Sequence, residues 1–126
     1  MTAKEWTSLP SNFRPLSDSE HSQNQKRGQL LDSFLEGPLF VPPLSSLLIV
    51  DIPYGRIFSV DIATTEWSLV VQYDGEPNGL AWHAITQKVI IADFKMGILS
   101  LDPRDNSIKT IVDRYHGERL KGPNDI

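Results

Sequence analysis

Cysteine is absent from this sequence of 126 residues. Its absence excludes a disulfide scaffold, a thiolate metal centre and a cysteine nucleophile, and it suits a reducing compartment such as the cytoplasm. Long apolar runs are missing too. The most apolar stretch, Pro38 to Val50, is interrupted by prolines and serines and falls short of the ~20 residues a membrane helix needs. The first residues carry no continuous apolar core of the secretory type, so a cytoplasmic chain with no membrane partner is expected. Basic residues are scattered: twelve Lys and Arg against sixteen Asp and Glu leave a net charge of −4. No basic stripe follows a phosphate backbone, and nucleic acid is not expected as a partner. No segment sustains a helical period. Familiar catalytic patterns are also lacking. There is no Gly-x-Ser-x-Gly elbow and no glycine-rich phosphate loop, and His21, His83 and His116 fit no metal-ligand spacing. Asp74–Gly79 imitates the start of an EF-hand loop, but Ile85 stands where its bidentate glutamate belongs.

What is present is an ordinary globular composition, 40% hydrophobic, with 9 Pro and 8 Gly, enough for one domain. Residues 1–29 are polar with isolated apolar side chains, and are expected to form a disordered arm. From residue 30 short apolar runs recur, and they repeat. The segment Ile49-Val50-Asp51-Ile52-Pro53-Tyr54-Gly55-Arg56-Ile57-Phe58-Ser59-Val60-Asp61 returns as Ile91-Ala92-Asp93-Phe94-Lys95-Met96-Gly97-Ile98-Leu99-Ser100-Leu101-Asp102, with one residue missing after the glycine. The offset is 42 residues from Asp51 to Asp93 and 41 from Ser59 to Ser100. Each copy predicts a hairpin, 47–52 with 56–60 and 88–93 with 98–101. Runs at 37–41 and 79–83 precede these, and runs at 67–73 and 108–112 follow. Four strands per unit of this length is the pattern of a β-propeller blade. The expected fold is therefore all-β, a partial propeller of about two blades and the start of a third, spanning residues 30–126.

Such a piece has a problem of exposure. If even ~500 Å² of apolar sheet stayed wet, roughly 12 kcal/mol would go unrealised at ~25 cal/mol/Å². That is as large as the net stability of a whole domain, about 5–15 kcal/mol. The chain is expected either to belong to something longer or to associate through its blade faces.

In a propeller the first strand of each blade lines the central channel. Glu36, Asn78 and Asn124 stand at the starts of three successive first strands and are expected to form part of a ring there. A carboxylate and two carboxamides are hard oxygen donors, which suit Ca²⁺ or Mg²⁺; Asn78 in Pro-Asn-Gly also reads as a simple turn residue. Asp51 and Asp93 read as turn caps. Trp67, Trp82 and Tyr73 read as blade packing, and Ser59 and Ser100 as strand-facing residues.

These residues resemble the N-terminal part of the SMP-30/gluconolactonase/LRE-like family. The similarity is carried by Leu35-Glu36-Gly37-Pro38, Val50 to Phe58, Tyr73 to Leu80, Ala92 to Ile98 and Lys121-Gly122-Pro123-Asn124-Asp125. It implies a six-bladed propeller holding a divalent cation, with Ca²⁺ first and Mg²⁺, Mn²⁺ and Zn²⁺ as alternatives. It further implies metal-assisted hydrolysis of a small-molecule lactone or related ester. Glu36 matches the family's metal-ligating glutamate, Asn124 matches an asparagine that binds metal or substrate, and Asn78 is a candidate substrate contact. No catalytic base is assigned, and the isolated chain is expected to turn over little. The competing reading is a non-catalytic truncated propeller, or an interaction module that completes its sheet with a partner. A strictosidine-synthase-like propeller is a third.

Overall fold

Short runs rich in β-branched and aliphatic residues, most of them followed closely by Asp, Pro, Gly or Asn, form eight strands. The computed structural model describes residues 3–14, 33–112, 114–115 and 118–119. Strands β1 (Leu35–Val41), β2 (Ser46–Asp51), β3 (Arg56–Asp61) and β4 (Trp67–Gln72) form one antiparallel sheet in chain order. Strands β5 (Pro77–His83), β6 (Lys88–Asp93), β7 (Gly97–Asp102) and β8 (Ser107–Val112) form a second of the same design. The short strands β9 (Arg114–Tyr115) and β10 (Glu118–Arg119) pair with each other. Helical structure among the described residues is limited to three single 3₁₀ turns, and no helix is long and apolar enough to cross a membrane.

The repeat holds at the level of register. Leu35 pairs with Asp51 in the first sheet and Pro77 with Asp93 in the second, each pair 42 residues from its counterpart. Asp51 then pairs with Arg56, whereas Asp93 pairs with Gly97. The missing residue therefore lies inside the β6–β7 turn, not after the glycine as the sequence alignment suggests. Gly55 ends its turn at φ +60° while Gly97 opens its strand at φ +92°, backbone values that a side chain would disfavour.

The sheets meet face to face with β1 beside β5, the inner strand of each. Alternation sends Val41, Leu48, Val50 and Ile57 of the first sheet against Leu80, Val89, Ile91, Leu99 and Leu101 of the second. Burying each such aliphatic contributes about 1.5–3 kcal/mol, so this shared layer is the main cohesive force between the blades. Trp82 and Tyr73 pack against it, in line with their expected role.

Residues on the opposite face of the first sheet are covered as well. Phe58, next to core-facing Ile57, points the other way and is fully buried. It is covered by part of the leader expected to be disordered: residues 3–14 lie on this face. Leu9 is 4% exposed, Phe13 sits edge-on to Phe58 at 5.1 Å, and Trp67 donates its indole N–H to Thr7 Oγ1 at 3.0 Å. Apolar side chains at Leu9 and Phe13 are what make this docking favourable; they stand four residues apart, but the chain between them forms only the single 3₁₀ turn Ser11–Phe13. The second sheet instead leaves Ile111 and Val112 of β8 50% and 40% exposed.

Candidate functional site

Antiparallel order places the starts of β1 and β5 at the same end of the molecule as the β2–β3 and β6–β7 turns. Both inner strands begin with an irregularity, a register shift between Glu36 and Leu39 in β1 and between Pro77 and Gly79 in β5. Bulges of this kind turn the strand and re-aim its side chains. Gly37 adopts φ +58°, and a Cβ there would lie 2.9 Å from the Asn78 carbonyl oxygen and 3.2 Å from Gly79 Cα. The two backbones thus touch where a side chain would not fit, which sets Glu36 and Asn78 on neighbouring strands at one mouth.

Glu36 is exposed there, while Asn78 is half-buried. Asn78 Nδ2 donates to the Glu76 carbonyl at 2.9 Å, a bond that uses the donor end of the carboxamide, while its oxygen accepts no bond from the described residues. Asn124 lies outside the described residues. Among the described residues no three His, Cys, Asp or Glu side chains cluster in a way that could hold a metal by themselves. His83 is at the far end of β5, exposed and bonded to Thr86 Oγ1 at 2.6 Å; His21 and His116 lie outside the described residues. Asp74 of the EF-hand-like stretch forms an ion pair with Lys95 at 2.8 Å.

Behind this mouth stand two wholly buried carboxylates, Asp51 and Asp93. The turn-cap reading describes Asp93, whose Oδ1 accepts the Lys95 and Met96 backbone N–H groups at 2.8 and 2.7 Å. It does not describe Asp51, whose own turn has no side-chain cap. Asp51 Oδ2 instead accepts Arg56 Nε and Nη2 at 2.9 and 2.6 Å, and its Oδ1 accepts the Phe34 N–H at 2.8 Å. Arg56 continues to the Phe13 carbonyl at 2.9 Å and Ser33 Oγ at 2.8 Å, and its guanidinium lies over the Phe58 ring. Asp93 Oδ2 accepts the Tyr73 hydroxyl at 2.7 Å. Burial, then the neighbouring Asp93 charge and the bond to it, push the Tyr73 phenol far above its ordinary value, so it stays a neutral donor. Sequence reading missed both networks. Their signal was there, a basic residue five places after Asp51 and a tyrosine twenty before Asp93, but nothing in the sequence marks either as buried.

No family model matches the chain, and a search of curated proteins finds no match. Solved structures do match. The gluconolactonase XC5397 of Xanthomonas campestris aligns with a TM-score of 0.68 at 24% identity, over 74% of this chain and 31% of that one. A second X-ray structure, of a protein assigned as a gluconolactonase, gives a TM-score of 0.66 at 20% identity, over 74% of this chain and 32% of the other. Likeness at this identity is one of fold, and it agrees with the expected class: two successive four-stranded blades of a β-propeller. The chain spans about a third of the length of the structures it matches.

Proposed function

We propose that the chain supplies the first two blades of a lactonase-type hydrolase, with its part of the site at the mouth of β1 and β5. The carrying observation is the backbone contact that brings Glu36 and Asn78 together at the inner strands of a gluconolactonase-like fold. The donor chemistry of Glu36 and Asn124 suits a hard cation: a carboxylate and a carboxamide oxygen are ligands of the kind Ca²⁺ takes, although it takes 6–8 of them. Glu36 and Asn124 would hold the ion, Ca²⁺ before Mg²⁺, Mn²⁺ or Zn²⁺, and Asn78 would accept a hydrogen bond from a substrate hydroxyl. A cation so held supplies Lewis acidity toward a lactone carbonyl. Glu36 would contribute fixed negative charge and Asn78 orientation of the substrate. With so few protein oxygens the chain by itself binds metal weakly and turns over little lactone. A cytoplasmic setting belongs to the same reading.

The test is a Ca²⁺ titration of the chain followed by NMR. Shifts are expected at Glu36, Asn78 and Asn124 and are lost in Glu36→Gln. Shifts confined to other acidic positions, or unchanged in that variant, reject the reading.

Exposed Ile111 and Val112 on the edge strand β8 favour a second reading, self-association or completion of the sheet by a partner. Light scattering across a concentration series separates the two: a monomer at all concentrations removes the self-association form.

A further inference from the structure

In both sheets the inner strand is held by a buried carboxylate just before it reaches the proposed ligand. Asp51 Oδ1 accepts the N–H of Phe34, two residues before Glu36, at 2.8 Å. Asp93 accepts the N–H of Glu76, two residues before Asn78, at 3.2 Å through Oδ1 and 3.0 Å through Oδ2. The carbonyls of the same two residues are held as well, Phe34 by the Ile52 N–H at 3.2 Å and Glu76 by the Phe94 N–H at 2.9 Å. Each member of one set is 42 residues from its counterpart in the other.

We infer that Asp51 and Asp93 are positioning residues, Asp51 for Glu36 and Asp93 for Asn78, each pinning the start of its own inner strand to the turn between the next two strands. The inference rests on the ligand roles proposed for Glu36 and Asn78. A strand start is ordinarily its most mobile part, and here two bonds fix one residue from both sides, one of them charge-assisted. Asp93 reaches further than Asp51. The Glu76 carbonyl that it helps to fix also accepts the Asn78 carboxamide at 2.9 Å, so the line from buried carboxylate to candidate contact is continuous. Tyr73, just beyond the end of β4, holds Asp93 Oδ2, so placement of Asn78 in the second sheet also depends on the first.

The variants are Asp51→Ala and Asp93→Ala in the whole chain, with Asp93→Asn as the conservative form. Amide exchange and the Asn78 side-chain NH₂ resonances report placement without reference to any ligand. Asp93→Ala is expected to speed exchange at Glu76 by about tenfold or more, the scale of a lost charge-assisted bond, and to shift the Asn78 NH₂ pair. Phe34 should keep its protection in that variant. Asp51→Ala should do the reverse, and Asp93→Asn should restore part of the Glu76 protection. Equal acceleration in both sheets, or an unmoved Asn78 NH₂ pair, would overturn the inference. Should Asp93→Ala fail to fold, Tyr73→Phe, which removes one donor and leaves the turn bonds, must still move Glu76 and Asn78 more than Phe34. If Ca²⁺ shifts neither Glu36 nor Asn78 in the unaltered chain, the ligand reading fails, and the exchange data still decide whether the carboxylates place these residues.

Discussion

Asp51 and Asp93 occupy the same place in their sheets, are equally buried and hold equivalent backbone groups, yet their remaining partners differ in kind. Asp51 faces the charged fork of Arg56 from the adjoining strand, and Asp93 faces the neutral hydroxyl of Tyr73 together with two N–H groups of its own turn. The difference follows from the turns. Four residues separate Asp51 from Arg56, three separate Asp93 from Gly97, and only the longer turn leaves a side-chain-bearing residue opposite the carboxylate. Where Gly97 brings no side chain, the shorter turn supplies its own N–H groups and the preceding sheet supplies Tyr73. One carboxylate is thereby tied to the N-terminal arm through Arg56, and the other to the neighbouring blade. A single repeated residue serves two different attachments.

The largest effect should come from breaking the charged arrangement. Arg56→Met leaves the Asp51 carboxylate without its cation in a site closed to water, at a cost of about 3–5 kcal/mol. Urea unfolding should show this loss, and Asp51→Asn added to Arg56→Met should recover much of it, because the uncompensated charge is gone. A double variant as unstable as the single one would mean that packing of Arg56 between Tyr54 and Phe58 matters more than its charge.

Next is the arm, whose described residues pack on the first sheet. Leu9→Ala should cost about 2 kcal/mol, the low end for a buried leucine because the arm can settle into the space. It should also move Trp67 fluorescence to the red as the Thr7 bond to the indole opens. Unchanged Trp67 emission would detach the arm from that face.

Tyr73→Phe should cost less than Arg56→Met, about 1.5 kcal/mol, since Asp93 retains three backbone donors. It has a separate pH signature. The Tyr73 phenol is raised in the folded state above its unfolded value near 10, so its contribution is complete below pH ~10 and declines as pH rises beyond that. Stability of the unaltered chain should therefore fall above pH ~10 with a slope that Tyr73→Phe removes. Among the described residues no phenol is bound to Asp51.

Much of this architecture is legible in the sequence because it depends on local regularities. Strands such as Lys88–Asp93 are set by a short apolar run and a turn residue at its end, and a repeat of 42 residues fixes their order. The inner-strand placement of Glu36 and Asn78 follows from the same repeat. What the sequence hides is burial that arises between distant segments. Phe13 and Leu9 look isolated until β3 and β4 present Phe58 and Trp67 to them, and Asp51 looks like a turn cap until a longer turn sets Arg56 opposite. The first depends on contacts more than forty residues apart in the chain, and the second on one residue's difference in turn length between the two copies.

The smallest effect is expected at the opposite end, where Asp61 and Asp102 repeat the contrast at the surface, 41 residues apart. Asp61 Oδ1 accepts the Ala63 and Thr64 N–H groups, both at 2.9 Å, and its carboxyl is lowered, chiefly by the Thr64 backbone bond. Asp102 is lowered to about 2, first by the Arg104 side chain, which it meets at 2.8 Å, and then by the Arg104 backbone N–H. Both carboxyls are depressed, so each contributes above its unfolded value near 3.9 and loses that contribution as pH falls, for Asp102 through about 2. Arg104 is exposed, so solvent and salt screen its part, and Arg104→Gln should barely change thermal stability. NMR titration of the two carboxyls can still tell them apart. At ~1 M salt, where the screening length falls to about 3 Å, the Asp102 midpoint should rise while that of Asp61, held by short backbone bonds, stays nearly fixed. Equal movement of both midpoints would show that the arginine adds nothing that the turn does not already provide.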